Sequence, residues 1–278
     1  MSKGIALTTG LNAVSPAHYG GWSGELNACE ADAKDMAEIA RSKGFDVKTL
    51  LTKEATRANV IDGINKAAST LTSGDIFMLS YSGHGGQLPD LNSDEADAQD
   101  ETWCLYDGEL VDDEIYSLLG KFAQGVRILV FSDSCHSGTV TKLAYYQSAM
   151  RTMGLKGFSP EIRYRFMPME VAVRTYRDNK KFYDPILKDP QLKESRDAVN
   201  ASVILISGCQ DNQLSADGTF NGLFTANLLQ VWNEGKFKKG YRAFRRAIVN
   251  RMPPDQTPNY FRVGEINRAF EKQKPFTI

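Results

Sequence analysis

Two segments decide the fold of this chain: IFMLSYSGHG at Ile76–Gly85 and ILVFSDSCHSG at Ile128–Gly138. Each is a short apolar run that ends abruptly in small polar residues. Runs of this length, rich in Ile, Val and Phe and closed by Gly, indicate strands that are buried on both faces of a parallel sheet. Ligands of such sheets bind beyond the carboxyl ends of the strands. One segment therefore brings His84 to that edge, and the other brings Cys135. A thiol within reach of an imidazole is the minimal equipment of a cysteine hydrolase.

The rest of the chain alternates apolar strands with amphipathic helices. We predict further strands at 5–9, 45–51, 202–209 and 259–263, and helices at 25–42, after Thr56, and at 112–122, 222–232 and 241–252. Residues 85–108 are predicted to form an acidic loop. Strands separated by helices imply an α/β fold with a mostly parallel central sheet, here of about six strands, and helices on both faces.

Composition narrows the class of protein. The chain has 278 residues, 42% of them hydrophobic and 24% charged, which is enough for one large α/β domain or two small ones. A formal net charge of -1 gives no electrostatic reason to expect a nucleic acid or an anionic membrane as partner. No signal peptide and no membrane-spanning stretch is visible. The four cysteines lie far apart without CxxC spacing, which argues against zinc and against disulfides, so a cytoplasmic location is expected.

His84 is the expected base for the Cys135 nucleophile. A free thiol has a pKa of about 8.5 and becomes reactive when an imidazolium or another positive charge stabilises the thiolate. His136 is the competing base, but adjacent residues of an extended segment point to opposite faces, so it is poorly placed to take the proton. The alternative is that Cys135 is an inert buried thiol and His84 a structural histidine.

The segments YSGHG (81–85) and DSCHSG (133–138) resemble the histidine and cysteine boxes of metacaspases, the caspase-like cysteine peptidases of family C14. The similarity runs from the first strand through SGCQDNQ (207–213) and GLFT (222–225), and so covers nearly the whole chain. The resemblance implies a caspase-hemoglobinase fold and a cysteine-type endopeptidase that works through a thioester on Cys135. It also implies one peptidase domain over 1–278, with a large-subunit-like part to about 138, an insertion at about 139–200 and a small-subunit-like part from about 201.

Two acids near the nucleophile bear on substrate specificity. Asp133 precedes Cys135 by two residues and so projects to the same side of the strand, and Asp32 follows Cys29 by one helical turn. The LNACEAD segment (26–32) resembles a metacaspase segment that lines the primary specificity pocket. By that resemblance the pocket is formed by Cys29, Asp32, Ser82 and Asp133. Two carboxylates there would suit an Arg or Lys side chain and repel Asp. The alternative is that Asp133 caps a loop and Asp32 faces solvent.

Calcium is the one cofactor to consider, because many metacaspases need it and carboxylates are its preferred ligands. The resemblance puts Asp100, Asp112 and Asp113 on ligand positions. The fourth acid is expected seven residues after the nucleophile, where this chain has Lys142. A lysine there could pair with the same carboxylates in place of the metal. The sequence therefore leans against calcium dependence, and no cofactor is needed for the dyad itself.

The expected partner is a polypeptide substrate, and the protein is expected to be a monomer. The basic insertion at 139–200 is either a functional loop or a helical excursion that covers the sheet; its counterpart in metacaspases is often self-cleaved. Competing functions are a clan relative with another specificity, such as a legumain-like protease, and a catalytically silent caspase-like scaffold. A flavodoxin-like nucleotide binder is weakened because no phosphate-binding Gly-rich loop follows the first strand.

Overall fold

The computed structural model describes residues 2–91, 99–134, 163–209, 215–218, 220–254 and 256–278. Its centre is a six-stranded sheet in the order β2-β1-β3-β7-β8-β9. The strands of that sheet are β1 (Gly4–Gly10), β2 (Asp46–Leu51), β3 (Ile76–Ser82), β7 (Arg127–Asp133), β8 (Ser202–Ser207) and β9 (Phe261–Gly264). Every pairing is parallel except that of β9 with β8, which is antiparallel. The predicted α/β class with a mostly parallel sheet of about six strands is confirmed.

A second, three-stranded antiparallel sheet occupies the region predicted to be an acidic loop, and that prediction is wrong. Its strands are β4 (Gly85–Pro89), β5 (Gln99–Leu105) and β6 (Gly108–Val111). Polar residues occupy inward positions of β5, where Asp100 and Thr102 are buried. The usual alternation of apolar and polar residues is therefore hidden in the sequence of this strand.

Helices cover the two faces of the central sheet. They are α1 (Cys29–Ser42), α2 (Arg57–Thr70), α3 (Asp112–Leu119), α4 (Met169–Asp178), α5 (Lys180–Leu187), α6 (Pro190–Lys193), α7 (Leu223–Trp232), α8 (Tyr241–Val249) and α9 (Arg268–Lys272), with 3-10 turns at Thr52–Glu54 and Asn233–Gly235. The first helix begins four residues later than predicted. The predicted cap of α2 is present, because the Thr56 side chain accepts a hydrogen bond from the Asn59 N–H.

Alternate residues of the central strands feed two separate cores, as the period of an extended chain requires. On β7, Ile128 and Val130 pack on one face with α2 and α3, while Leu129 and Phe131 pack on the other with α1, α7 and α8. A sheet buried on both faces in this way leaves its strand ends as the place where polar side chains can gather. No helix in the described part of the chain is long and apolar enough to cross a membrane.

The described part of the predicted insertion contains short helices, as one of the two alternatives expected, and an extended segment before them. Residues 169–193 form the short helices α4 to α6, which is the helical covering. Immediately before them, Tyr164 and Phe166 make isolated β-bridges to Ala216 and Gly85, at the carboxyl edge of the central sheet. This short extended segment is what brings the insertion to the candidate site.

Candidate active site

His84 lies two residues beyond the end of β3, with its ring buried and packed against Trp22 at a centroid distance of 4.7 Å. Its Nε2 is 2.9 Å from the carbonyl oxygen of Gly24. A carbonyl oxygen can only accept, so Nε2 carries the proton and Nδ1 is the basic nitrogen of the neutral ring. The contact therefore holds the imidazole in one tautomer and one orientation.

The His84 imidazole is neutral near pH 7. Its pKa is lowered to about 4, chiefly by burial and also by the positive charge of Arg165, against the opposing effects of the Gly24 carbonyl, Asp217 and the Phe166 backbone. Removal from water disfavours the charged form of any imidazole that lacks a close counter-charge. The ring is thus in the form that can accept a proton.

Three of the predicted pocket residues converge at the same strand edge. Ser82 is the last residue of β3, Asp133 is the last residue of β7, and the two are partners in the parallel register. Asp32 comes from the first turn of α1, and its Oδ2 accepts a hydrogen bond from Ser82 Oγ at 2.8 Å. The fourth residue, Cys29, is fully buried beside Ser82, and burial raises the pKa of its thiol, which therefore stays neutral. The alternative in which Asp32 faces solvent is wrong, since it is 1% exposed.

The space between these carboxylates is filled by the side chain of Arg165, which is 0% exposed. One terminal nitrogen, Nη1, lies 2.7 Å from Asp133 Oδ2 and donates to Ser82 Oγ at 2.9 Å. The other, Nη2, lies 2.7 Å from Asp32 Oδ2. The planar guanidinium therefore spans both predicted acids at once, a geometry that favours Arg over the single ammonium of Lys.

Asp217 is a third carboxylate in the pocket, and the sequence analysis missed it. Its Oδ1 lies 2.9 Å from Nη2 of Arg165, while its Oδ2 accepts the backbone N–H of Asn27 at 2.7 Å. This second bond ties the loop of Asp217 to the residues that precede α1. The only sequence signal for the residue is an acid in the loop that follows the buried strand β8.

The pocket holds more negative than positive charge. Three carboxylates surround one guanidinium, and burial raises the pKa of Asp133, with Asp32 adding to the rise and Arg165 opposing it. Hydrogen bonds from Ser215 Oγ at 2.6 Å and Thr225 Oγ1 at 3.1 Å partly replace the lost water around Asp133. A cationic side chain is therefore strongly favoured over a neutral one in this space, because it offsets the cost of burying the acids.

The backbone on both sides of Arg165 is bound like a strand. Its N–H donates to the Ser215 carbonyl at 3.0 Å, and its own carbonyl accepts from the Gly85 N–H at 3.0 Å. Two residues before it, the Arg163 carbonyl accepts from the Asp217 N–H at 2.8 Å, and two residues after it the Met167 N–H donates to the Gly85 carbonyl at 2.7 Å. The groove thus binds this segment through its extended main chain as well as through the Arg165 side chain.

Three residues named by the sequence analysis lie outside the described residues: Cys135, His136 and Lys142. Cys135 is bonded to Ser134, which is buried one residue beyond the end of β7, and Ser134 Oγ is 3.0 Å from Ser132 Oγ. Ser134, the last described residue before position 135, thus lies at the edge where His84 and the carboxylates lie.

The three acids proposed for calcium are described. Asp100 lies on β5 and is buried, and Asp112 and Asp113 form the first turn of α3. Within the described ranges, no three His, Cys, Asp or Glu side chains come close enough together to hold a metal ion.

Comparison with known proteins identifies the family to which this chain is similar. The Caspase domain family, peptidase C14, matches residues 4–275. The chain is 29% identical over 258 residues to Metacaspase-1 of Schizosaccharomyces pombe, covering 84% of this chain and 59% of that protein. It is 31% identical over 251 residues to Metacaspase-1 of Eremothecium gossypii, covering 79% and 54%. The chain thus spans a little over half the length of these curated relatives.

Solved structures give the same result. The crystal structure of protein GSU0716 from Geobacter sulfurreducens is 64% identical and superposes with a TM-score of 0.89, covering 99% of each chain. Caspase-1 from Spodoptera frugiperda, at 10% identity, shares the fold with a TM-score of 0.59 over 99% of this chain and 92% of that one. The resemblance to metacaspases and the assignment to a family of cysteine-type endopeptidases are therefore confirmed. This chain belongs to the caspase-domain family, peptidase C14.

Proposed function

We propose that this protein is a cysteine endopeptidase that hydrolyses polypeptides after Arg, and more slowly after Lys. The observation that carries the proposal is the seat of Arg165, whose guanidinium contacts Asp32, Asp133 and Asp217 at 2.7–2.9 Å. Substrate arginine would take the same contacts. Lysine would bring the charge but not the two-pronged geometry, because one ammonium cannot occupy both nitrogen positions.

In the proposed reaction His84 and Cys135 form the catalytic dyad. Neutral His84 takes the thiol proton on Nδ1, and the thiolate sulfur attacks the carbonyl carbon that follows the bound arginine. The Gly85 N–H lies 3.0 Å from the Arg165 carbonyl oxygen, and the same donor would stabilise the oxyanion of the tetrahedral intermediate. The Gly24 carbonyl keeps the His84 ring oriented while the ring carries the thiol proton on Nδ1 in addition to its own proton on Nε2.

The intermediate then collapses to a thioester. The C–N bond breaks, and the leaving amine takes the proton from His84. Water next attacks the thioester with His84 as base, which releases the new carboxylate and restores the Cys135 sulfur. Asp32, Asp133 and Asp217 take no part in the proton transfers; they position the substrate side chain.

A matched panel of peptides tests this proposal. Reporter peptides that differ only in Arg, Lys, Asp or Asn before the scissile bond should be cut in the order Arg, then Lys, with no measurable cleavage after Asp or Asn. Cys135→Ala and His84→Gln variants should lose cleavage, while Asp62→Asn, on an exposed position of α2, should leave it unchanged. Preference for Asn would favour the legumain-like alternative. No labelling of Cys135 by a thiol-directed peptidyl inhibitor would favour the silent scaffold.

We also propose that cleavage does not require calcium. The support is that Lys142 stands at the fourth ligand position of the family pattern, where a lysine could pair with the same carboxylates in place of the metal. The peptide panel run with calcium and with a chelator checks this point. A loss of more than tenfold in the chelated sample, restored by calcium, would contradict it.

A further inference from the structure

The residues 163–167 lie in the groove in the manner of a bound substrate. On one side Tyr164 bridges Ala216 in antiparallel fashion, and on the other Phe166 bridges Gly85 in parallel fashion. The segment therefore adds a short strand between two parts of the protein, which is the way extended peptides are commonly bound by proteins.

Arg165 blocks the pocket completely. Its side chain is 0% exposed, and its two terminal nitrogens already satisfy all three carboxylates. A second anchor lies two residues earlier, where the Arg163 guanidinium donates to the Glu25 carbonyl at 2.8 Å. A substrate from outside has no access to the carboxylates until this segment leaves.

The peptide bond that follows Arg165 lies beside the catalytic groups of the proposed function. Its carbonyl oxygen accepts from the Gly85 N–H at 3.0 Å. On the far side of the bond, the backbone of Phe166 is close enough to His84 to raise the pKa of the imidazole. The acyl side thus faces the oxyanion donor, and Phe166, whose nitrogen is the leaving group, has its backbone near the ring that would supply the proton.

We propose that Arg165–Phe166 is the bond at which this protein cleaves its own chain, and that residues 163–167 occlude the groove until that cut is made. The inference rests on the proposed function. Cys135 sulfur forms a bond to the Arg165 carbonyl carbon, and the bond to the Phe166 nitrogen breaks as that nitrogen takes a proton from His84. Water then replaces sulfur at the carbonyl carbon, which leaves Arg165 as a carboxylate and Phe166 as a free amine.

Cleavage would loosen the block because it separates the part that carries Arg163 and Arg165 from the part that leads into α4. The part after the cut leads within a few residues into α4, which begins at Met169, and it keeps the Met167 contact to Gly85. The part before the cut keeps only the contacts of Arg163 to Arg165 and becomes a product carboxylate. The new carboxylate also adds a negative charge to a region that already holds three carboxylates, so repulsion favours its release.

The test follows intact mass of the full chain over time, beside hydrolysis of an Arg reporter peptide. Wild-type protein should yield fragments 1–165 and 166–278, and reporter hydrolysis should rise in step with them. Cys135→Ala should stay intact. Arg165→Lys keeps a cation in the pocket and should be cut at the same bond at least tenfold more slowly. The matched control is Arg177→Gln, an exposed arginine on α4, which should be processed like wild type.

Arg165→Ala adds a separate readout. It should not be cut at position 165 and should hydrolyse the reporter without a lag; Arg165→Lys serves as the folded comparison if the alanine variant is unstable. The inference is overturned if fragments end at another residue while 165–166 stays intact, or if uncut wild-type protein hydrolyses the reporter at full rate. Failure of every variant to hydrolyse the reporter, with and without calcium, would overturn the proposed function and the inference together.

Discussion

Asp32→Asn is the substitution that most directly tests the electrostatics of the pocket. Asp32 Oδ1 accepts from the Gly222 N–H and from Asn221 Nδ2, both at 3.0 Å, while Oδ2 faces Arg165 and Ser82. An asparagine would keep its oxygen on the Gly222 side, since that position needs an acceptor. Its NH₂ group would then point at the guanidinium, so that one donor meets another.

The magnitude follows from the lost bond. A hydrogen bond to a charged group contributes about 1.5–3 kcal/mol. Since about 1.4 kcal/mol corresponds to tenfold in rate or equilibrium constant, the variant should lose roughly 10- to 150-fold in kcat/KM for an Arg peptide. Asp133 and Asp217 remain, so cleavage after Arg should weaken and not disappear.

The assay compares two peptides that differ only in Arg or its neutral isostere citrulline at the cleavage position. The ratio of their kcat/KM values isolates the contribution of the charge from any general damage to the enzyme. In Asp32→Asn that ratio should fall by at least tenfold, because the citrulline carbonyl can accept from the new NH₂ group. An unchanged ratio, with the exposed control Asp62→Asn at the wild-type value, would refute the electrostatic account of the pocket.

Two further predictions concern the pocket wall and a buried acid. The backbone φ of -59° at Gly222 permits alanine, but a Cβ there would lie 2.6 Å from Cζ of Arg165. In Gly222→Ala the ratio of kcat/KM for an Arg peptide to that for a Lys peptide should therefore drop about tenfold. Equal losses for both peptides would contradict this prediction. Burial raises the pKa of Glu109 from 4.5 to about 8, so as pH rises from 4.5 to 8 only the unfolded state ionises and stability is lost. Glu109→Gln should remove this decline, worth about 3–5 kcal/mol, in urea unfolding at pH 5.5 and 8. The exposed control Glu54→Gln should decline as wild type does, and a Glu109→Gln variant that declines as much as this control would count against the prediction.

The sequence by itself determined the architecture and most of the pocket. The runs Ile76–Leu79 and Ile128–Phe131 are entirely apolar, which indicates strands buried on both faces of a parallel sheet, and parallel strands end at the same edge. Ser82 and Asp133 are therefore neighbours by register alone. Asp32 was expected there from the resemblance to metacaspases, and the structure puts it on the buried face of α1.

Only the tertiary structure decided what fills the pocket. Arg165 is 133 residues from Asp32, and it was one of several basic residues in an insertion whose path no local pattern determines. Asp217 reaches the site on a loop, where position depends on long-range contacts such as the bond to the Asn27 N–H. Strand β5 escaped detection for a related reason, since its inward residues are polar and are satisfied only by partners that the fold brings to them.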